Sequence, residues 1–544
     1  MIVRSRQWFV VGTAVAVAFA AVNVLMPRAD AAPEAVPIGP GEIVELLPLQ
    51  VHNRRIVDTA GRDVLLRGTN LNSLGEYWQG IPGLDPTIPV SDADWDLMAA
   101  RGFSVVRLIV SWSRIEPVRD VIDVSYLDQV DDAVSEAAAR GIYTVIDMHQ
   151  DAYSAFISTP DPSVCPPGTA PAKGWDGAPA WAIRTDGLST CLTGSDRNSS
   201  PAVRQAWNNF YDNVDGLRDE FAEVWGTVAA RFAGRPEVAG YDLLNEPETS
   251  RPAAELQPLY DTLLADTIQA IRAAEAAAPF DHIIFIEPAI PAGDPTMGIV
   301  IPDPAALGGD LANLFAAVHN YAESITGNGL DLTIEQMNQL IDQVTASLGV
   351  GNWTGEYGFW DTEPSTLAKA RRYAADEDRL AWGGAWWQWR QSCGDPHAVY
   401  WSGDQVVAPS SPSVHLNVLG CPGNVDRGPN DAFLDIVGRG YPRATPGRIV
   451  ELRSDVDTGW LKVKAEADHA GGQLVVWTPT TSEATHPITT FGLTDPVAHA
   501  VPGGRIVTAT VASAGTYALW IGLPDEDLTS VGPRPPVASP AFTG

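Results

Sequence analysis

The sequence predicts an α/β unit, a (β/α)8 TIM barrel, followed by a C-terminal antiparallel β-sandwich. Three observations predict it. Between residues 60 and 440, eight short and almost wholly apolar runs alternate with helix-patterned segments, as parallel strands buried on both faces do. The first run, RGTNLNSLG, carries no G-x-G-x-x-G, which counts against an open doubly wound sheet with a phosphate loop. After residue 445 the runs become short and alternating between Gly-, Pro- and Asp-rich turns, the pattern of a sandwich.

The elements follow in chain order. Arg4 and Arg6 precede an apolar stretch that ends in Ala29-Asp30-Ala31, so residues 1–31 read as a secretory signal peptide. The apolar run from Trp8 to Met26 is long for a signal, and retention as an N-terminal anchor is the alternative. The barrel is assigned to 45–443. Its strands are expected at VLLRGTNL (64–71), FSVVRLIVSW (103–112), YTVIDMHQ (143–150), VAGYDLLNEP (238–247), HIIFIEP (282–288), LFAAVHNY (314–321), NWTGEYG (352–358) and GGAWWQWR (383–390). Helices are expected at 123–141 and 333–349, among others. The sandwich occupies 446–523, and the Pro-rich residues 524–544 are expected to be disordered.

Removing residues 1–31, with three arginines and one aspartate, takes the net charge from −32 to −34. Such acidity argues against charge-driven binding of nucleic acid or anionic membranes. The chain is expected to be secreted and extracellular. Its four cysteines form two near pairs, and an even count in an exported chain favours disulfides. Of three connectivities, the sequence-local one, Cys165–Cys191 with Cys393–Cys421, is preferred. No CxxC spacing is present, so a zinc site is disfavoured.

In such a barrel the reactive groups lie at the C-terminal ends of the strands. Nearly every predicted strand turns polar there: Asn70 and Asn72, Arg107, His149 with Asp151, Asn245 with Glu246, Glu287, His319 with Tyr321, Glu356, and Trp389. Glu287 reads as structural, because Pro288 and apolar residues surround it. Glu246 and Glu356 end strands 4 and 7, which face each other across the mouth. Two carboxylates about 5 Å apart are the apparatus of a retaining glycosidase. The pair needs opposite tuning, a raised pKa for the acid and a low one for the nucleophile. No G-x-S-x-G or H-E-x-x-H is present, so serine-hydrolase and zinc-protease chemistry are unsupported. A metal reading of His149 and Asp151 in DMHQD is weak beside the paired glutamates.

NEP on strand 4, VHNY on strand 6, GEYG on strand 7 and a Trp-rich strand 8, in that order, resemble glycoside hydrolase family 5 over roughly residues 50–440. The resemblance implies that Glu246 is the acid/base and Glu356 the nucleophile. It implies that Asn245 bonds the sugar 2-hydroxyl, and that Arg107 and Tyr321 hold the nucleophile ionised and oriented. His149 and His319 match the family's strand-end histidines, and Trp389 its sugar platform, with Trp386 and Trp387 crowding that match. Pro247 is expected to stop strand 4 so that Glu246 sits at the rim, with a backbone bend bringing Asn245 to the same side.

IDMHQDAYS (146–154) is similar to the motif of the endoglycoceramidase branch, which cuts oligosaccharide from ceramide in glycosphingolipids. That resemblance implies a substrate-binding Asp151, a glycosphingolipid or other β-linked glycan as substrate, and no metal or organic cofactor. Lipid chains need apolar surface, and the long loops carry Tyr77, Trp78, Phe156, Trp175, Trp181 and Trp401. They could meet a micelle or membrane surface, stack on sugar, or pack the loops, the last being the default. The alternatives to this branch are a family 5 β-glucanase or β-glycosidase on other glycans, and an inactive sugar- or lipid-binding surface protein.

Overall fold

The run VVRLIV at 105–110 is buried on both faces along its whole length, and it lies between two parallel neighbours. Branched apolar side chains suit such a site because each face of the pleat packs against other apolar groups. The computed structural model describes residues 40–522 apart from 292–294, 308–312, 326–331, 361–364, 403–404, 408–414 and 481–485. The signal peptide and anchor predicted within 1–31, and the tail predicted at 524–544, lie outside the described residues. No helix among the described residues is long and apolar enough to cross a membrane.

Eight parallel strands build the barrel: β1 (Arg67–Leu74), β2 (Val105–Val110), β3 (Tyr143–Met148), β4 (Val238–Asp242), β5 (Ile283–Ile286), β6 (Leu314–Ala316), β7 (Thr354–Tyr357) and β8 (Gly384–Trp386). Their order is β6-β5-β4-β3-β2-β1-β8-β7. Parallel bridges from Ala316 to Asn352 and from Asn320 to Tyr357 join the two ends of that order, so the sheet closes on itself.

Helices pack around it. The predicted helix at 123–141 is α1 (Val124–Ala139), started by Asp123, whose side chain accepts from the Tyr126 N–H. The helix predicted at 333–349 is α2 (Ile334–Ser347), opened by a capping box between Thr333 and Gln336. In both, a side chain satisfies a backbone donor that the helix leaves unpaired. Between β5 and β6 the described residues hold two single 3-10 turns, Pro295–Met297 and Pro304–Ala306. Both predicted disulfides are formed, Cys165–Cys191 and Cys393–Cys421. The first ties down the long loop after β3, the second the segment after β8.

The C-terminal region is antiparallel, with a four-stranded and a seven-stranded sheet. The seven-stranded sheet differs from the expected boundary. Three short strands that precede the barrel, Leu49–His52, Arg55–Asp58 and Arg62–Val64, belong to it. Arg62–Val64 pairs with Tyr441–Pro446, so a division at 45–443 cuts through a sheet. Leu49, Ile56 and Val64 from these strands share an apolar cluster with Val105, Phe285, Phe315 and Trp353, and so cover the barrel end away from the strand C-termini. Burial of that cluster explains why the strands sit there. A buried ion network adds to the seam: Arg67 and Arg439 both meet Glu377 and Asp378, and Asp378 also accepts from Ser454.

Candidate active site

Arg107, in the middle of β2, is fully buried and sets the floor of the site. A guanidinium can only be buried if its donors are matched by acceptors and opposite charge. Here it meets Asp147 from β3 (3.0 Å), Asp242 from β4 (2.9 Å), Glu287 after β5 (3.1 Å) and Glu356 in β7 (2.8 Å). It also donates to the side-chain oxygens of Asn70 and Asn245, at 3.2 and 3.0 Å. One cation on β2 therefore ties together groups from five other strands or the segments just beyond them.

Glu356 takes the Arg107 bond on Oε1 and a 2.7 Å bond from the Tyr321 hydroxyl on Oε2. Burial, with the Glu356 charge adding to it, pushes the Tyr321 phenol far above its ordinary range, so it stays a donor. His319 lies 3.5 Å from Glu356 Oε2. Its neighbour Gly355 leaves room for it: a Cβ at 355 would stand 3.0 Å from His319 Nε2.

Glu246 sits on a bend, not on a strand. β4 ends at Asp242, and Glu246 itself has φ 37°, left-handed backbone that non-glycine residues rarely adopt. The bend is held from three directions. The Gln150 amide donates to the carbonyls of Asn245 (2.8 Å) and Glu246 (2.9 Å). Asn245 Nδ2 donates back to the Gln150 carbonyl at 3.0 Å. The Glu246 N–H donates to Glu287 Oε2 at 3.0 Å. These bonds fix Asn245 beside Glu246, with the Asn245 amide held between the Arg107 guanidinium and the Gln150 carbonyl. Glu287 is thus a positioning acid, accepting from Arg107 and from the backbone of Glu246.

The Glu246 carboxylate accepts from His319 Nδ1 at 2.9 Å on Oε1 and from Arg197 Nη2 at 3.1 Å on Oε2. Burial, the largest influence, pushes its pKa upward. The bond and charge of His319 and the charge of Arg197 outweigh it, and the net position is below the ordinary carboxylate value. That is opposite to the raised value expected for an acid, and the two cations are the reason. His319 opposes its own burial through Glu287, Glu356 and Glu246, and is held far above the usual histidine range; it stands as an imidazolium among three glutamates. Ligand atoms of Glu246, His319 and Glu356 all lie within 4.8 Å of one another. One carboxylate oxygen of each glutamate thus lies within 4.8 Å of the other's, an approach that suits a retaining pair, about 5 Å apart, better than the roughly 6.5–9.5 Å that accommodates an inverting water.

Asp151 and His149 line the adjoining wall. His149 bonds Asp147 at 2.7 Å and stacks on the Trp387 ring, centroids 5.5 Å apart and planes 13° from parallel. Burial pulls His149 down, but Asp147 and Asp176 carry it up to about 9. Asp151 contacts Arg197 and lies 3.0 Å from His397 Nε2; these cations overcome its burial and keep it well ionised. Asp176 is buried beside it, and burial with the Asp151 charge raises it to about 8. His149, Asp151 and Asp176 have donor atoms close enough to share an ion, as do Glu246, His319 and Glu356. Arg197 and His397 already compensate the first set and the His319 imidazolium the second, so the donor chemistry fits a proton and charge network better than a cation site.

One placement corrects the sequence reading. Trp389 is not a sugar platform: it is 1% exposed, donates to Asp94 at 3.1 Å and packs edge-on against Phe103. β8 ends at Trp386, and beyond it the chain no longer alternates as a strand. The Trp387 ring, stacked on His149 and 5.6 Å from His397, is the one that faces the site. Sequence reasoning also missed Arg197, Gln150, Asp176, His397 and Trp360. Trp360, 38% exposed, stacks over His397 and leans on Tyr321. Of the six loop aromatics, Phe156 is exposed, Tyr77 and Trp175 are buried, and Trp78, Trp181 and Trp401 are half-buried. Trp181 donates to the Glu116 carbonyl and abuts Trp112, which is loop packing.

Known proteins resemble the chain in sequence and shape. The family model for cellulase (glycosyl hydrolase family 5) matches residues 57–393. Endoglycoceramidase I of Rhodococcus hoagii (strain 103S) is 25% identical over 518 residues, 88% of each chain. A crystal structure of endogalactoceramidase superposes with a TM-score of 0.77 at 32% identity, covering 88% of this chain and 100% of that one. Endo-glycoceramidase II from Rhodococcus sp., solved with ganglioside GM3, has the same fold, with a TM-score of 0.65 at 24% identity over 87% of this chain and 100% of that one.

Proposed function

Because the chain belongs to glycosyl hydrolase family 5, we propose that it is a retaining endo-β-glycosidase that releases intact oligosaccharide from ceramide in glycosphingolipids. The observation that carries the mechanism is the approach of Glu246 and Glu356 to within 4.8 Å through a shared histidine. The observation that carries the substrate is the likeness, over most of both chains, to endoglycoceramidase I and to endogalactoceramidase.

The residues divide the work. Glu356, fixed by Arg107 and Tyr321, attacks the anomeric carbon, and the glycosidic C–O bond breaks as the ester forms. Glu246 supplies a proton to the departing ceramide oxygen. In the second step Glu246 takes a proton from water, the water oxygen bonds to the same carbon from the opposite face, and Glu356 leaves as carboxylate. Two inversions return the β configuration. Asn245, His149 and Asp151 are positioned to bind sugar hydroxyls, and Trp387 to stack on a sugar face. The two disulfides favour an oxidising compartment, in keeping with a secreted enzyme; exposed Phe156 at the mouth would meet the lipid aggregate that presents the substrate.

Incubation of the 32–544 chain with lactosylceramide or a ganglioside, followed by mass spectrometry, tests the reading. Free ceramide with intact oligosaccharide is expected, and Glu356→Gln should abolish both. Turnover of β-glucan or aryl β-glucoside without any ceramide release would discard the sphingolipid substrate and keep the chemistry. The likeness to endogalactoceramidase favours one further comparison, ceramide-linked galactose against ceramide-linked glucose at the cleaved position.

A further inference from the structure

Both oxygens of the Glu246 carboxylate are occupied by cationic donors, yet its proposed first task is to give a proton away. A carboxylic acid needs one oxygen to turn from acceptor to donor, and an N–H aimed at that oxygen stands in the way. His319 cannot vacate Oε1 easily: it is wedged among Glu246, Glu287 and Glu356. Arg197 is held differently. It lies on no barrel strand but in a single 3-10 turn, Arg197–Ser199, of the loop after β3. Its side chain is 23% exposed, and its Nη2 meets two carboxylates at once. One is that of Glu246, at Oε2; the other is that of Asp151, 3% exposed. The Trp175 ring beneath it, 4.9 Å from the guanidinium carbon, gives a flat surface over which a guanidinium can slide without losing contact.

We propose that Arg197 is the removable counter-ion of Glu246, paired with it between turnovers and drawn back onto Asp151 when the aglycone oxygen enters. This rests on the acid/base role of Glu246 in the proposed function. Arg197 moves no proton and forms no bond to substrate; it is a positioning residue acting through Glu246. The groups that face Glu246 are His319 and Tyr321 beyond β6, Arg197 and Asp151 from the loop after β3, Glu287 after β5, Glu356 in β7 and Glu248 on its own segment. Of these, Arg197 is the cation that departs. Its withdrawal leaves Glu248 and Glu287 as charges or dipoles that favour the protonated acid, while Asp151 takes up the guanidinium. Its return, once ceramide has left, restores the carboxylate that must accept a proton from water.

The test is the pH dependence of kcat/KM for the full chain on lactosylceramide in detergent micelles, compared with nitrophenyl β-lactoside, whose leaving group needs little acid assistance. Loss of a cation favours the protonated acid, so Arg197→Gln is expected to move the basic limb on lactosylceramide upward by about one pH unit, an about tenfold gain in the acid form above that limb. The limb on nitrophenyl lactoside, whose departure draws little on the acid, should move less, and Arg197→Lys, a point charge in place of a fork, should fall between. Activity lowered by one factor at every pH, with the limb unmoved, overturns the proposal as a merely structural role. Should R197Q not fold, R197K decides alone: a limb that rises supports the proposal, and one that stays overturns it. Glu246→Gln separates the underlying reading. If it keeps full activity on lactosylceramide, Glu246 is not the acid, whatever Arg197 does.

Discussion

The Tyr321 hydroxyl donates to Glu356 Oε2 at 2.7 Å while Arg107 holds the other oxygen at 2.8 Å. The nucleophile is thus pinned at both ends, by a neutral donor and a cationic one. A bond from a neutral donor to a charged acceptor contributes about 1.5–3 kcal/mol. Tyr321→Phe is therefore expected to lower kcat by about 10- to 150-fold, read by steady-state kinetics on a nitrophenyl β-lactoside. An unchanged kcat would remove Tyr321 from the apparatus.

The tryptophans beyond β8 should separate cleanly. Trp389 fills the core and satisfies Asp94, so Trp389→Ala is expected to cost about 3–5 kcal/mol of stability, the range for large-to-small changes at buried aromatics. Trp387 faces the site, so Trp387→Ala should chiefly raise KM or lower kcat/KM. Denaturant unfolding beside kinetics for both variants decides the matter. Equal effects on both readouts would mean that neither ring is a dedicated platform.

His397 supplies a pH signature. Burial lowers its pKa, but Asp395 and Asp151 overcome that and carry it up to about 10, from 6.5. A folded-state value above the unfolded one means that protonation favours the fold. Its contribution is complete below about pH 6.5 and is lost as the pH climbs toward about 10. The difference in melting temperature between the parent and His397→Gln should accordingly be largest near pH 6 and shrink toward pH 10. A difference constant across that range would show that His397 does not titrate there.

How much of this was legible in the sequence depends on which force places each residue. Glu246, Tyr321 and Glu356 could be read because each is polar at the end of an apolar run, and Arg107 because it interrupts one, where burial punishes an unpaired polar group. Asn245 and Glu246 were expected on one side of a bend, but Gln150, the side chain that holds it, carries no signal of its own. Arg197 was missed because its loop has no periodicity; its partners Asp151 and Glu246 are 46 and 49 residues away in the chain. Trp389 was misassigned because the strand ends three residues earlier, at Trp386, and alternation stops predicting direction there. The acidity of Glu246 was set by two cations whose approach is tertiary, so its direction could not be foreseen.

The pairing of Arg62–Val64 with Tyr441–Pro446 has a consequence for how the molecule is made. Among the described residues, the first strands to leave the ribosome wait for partners synthesised some 380 residues later, and the sheet is complete only when Gly504–Val511 has emerged. Until then Leu49, Ile56 and Val64 must find the base of the barrel unaided, with an unpaired strand edge exposed to neighbouring chains. The late strands therefore act as a check on completeness. A chain cut short after the catalytic loops would hold every reacting group and still lack the clasp that fastens its beginning.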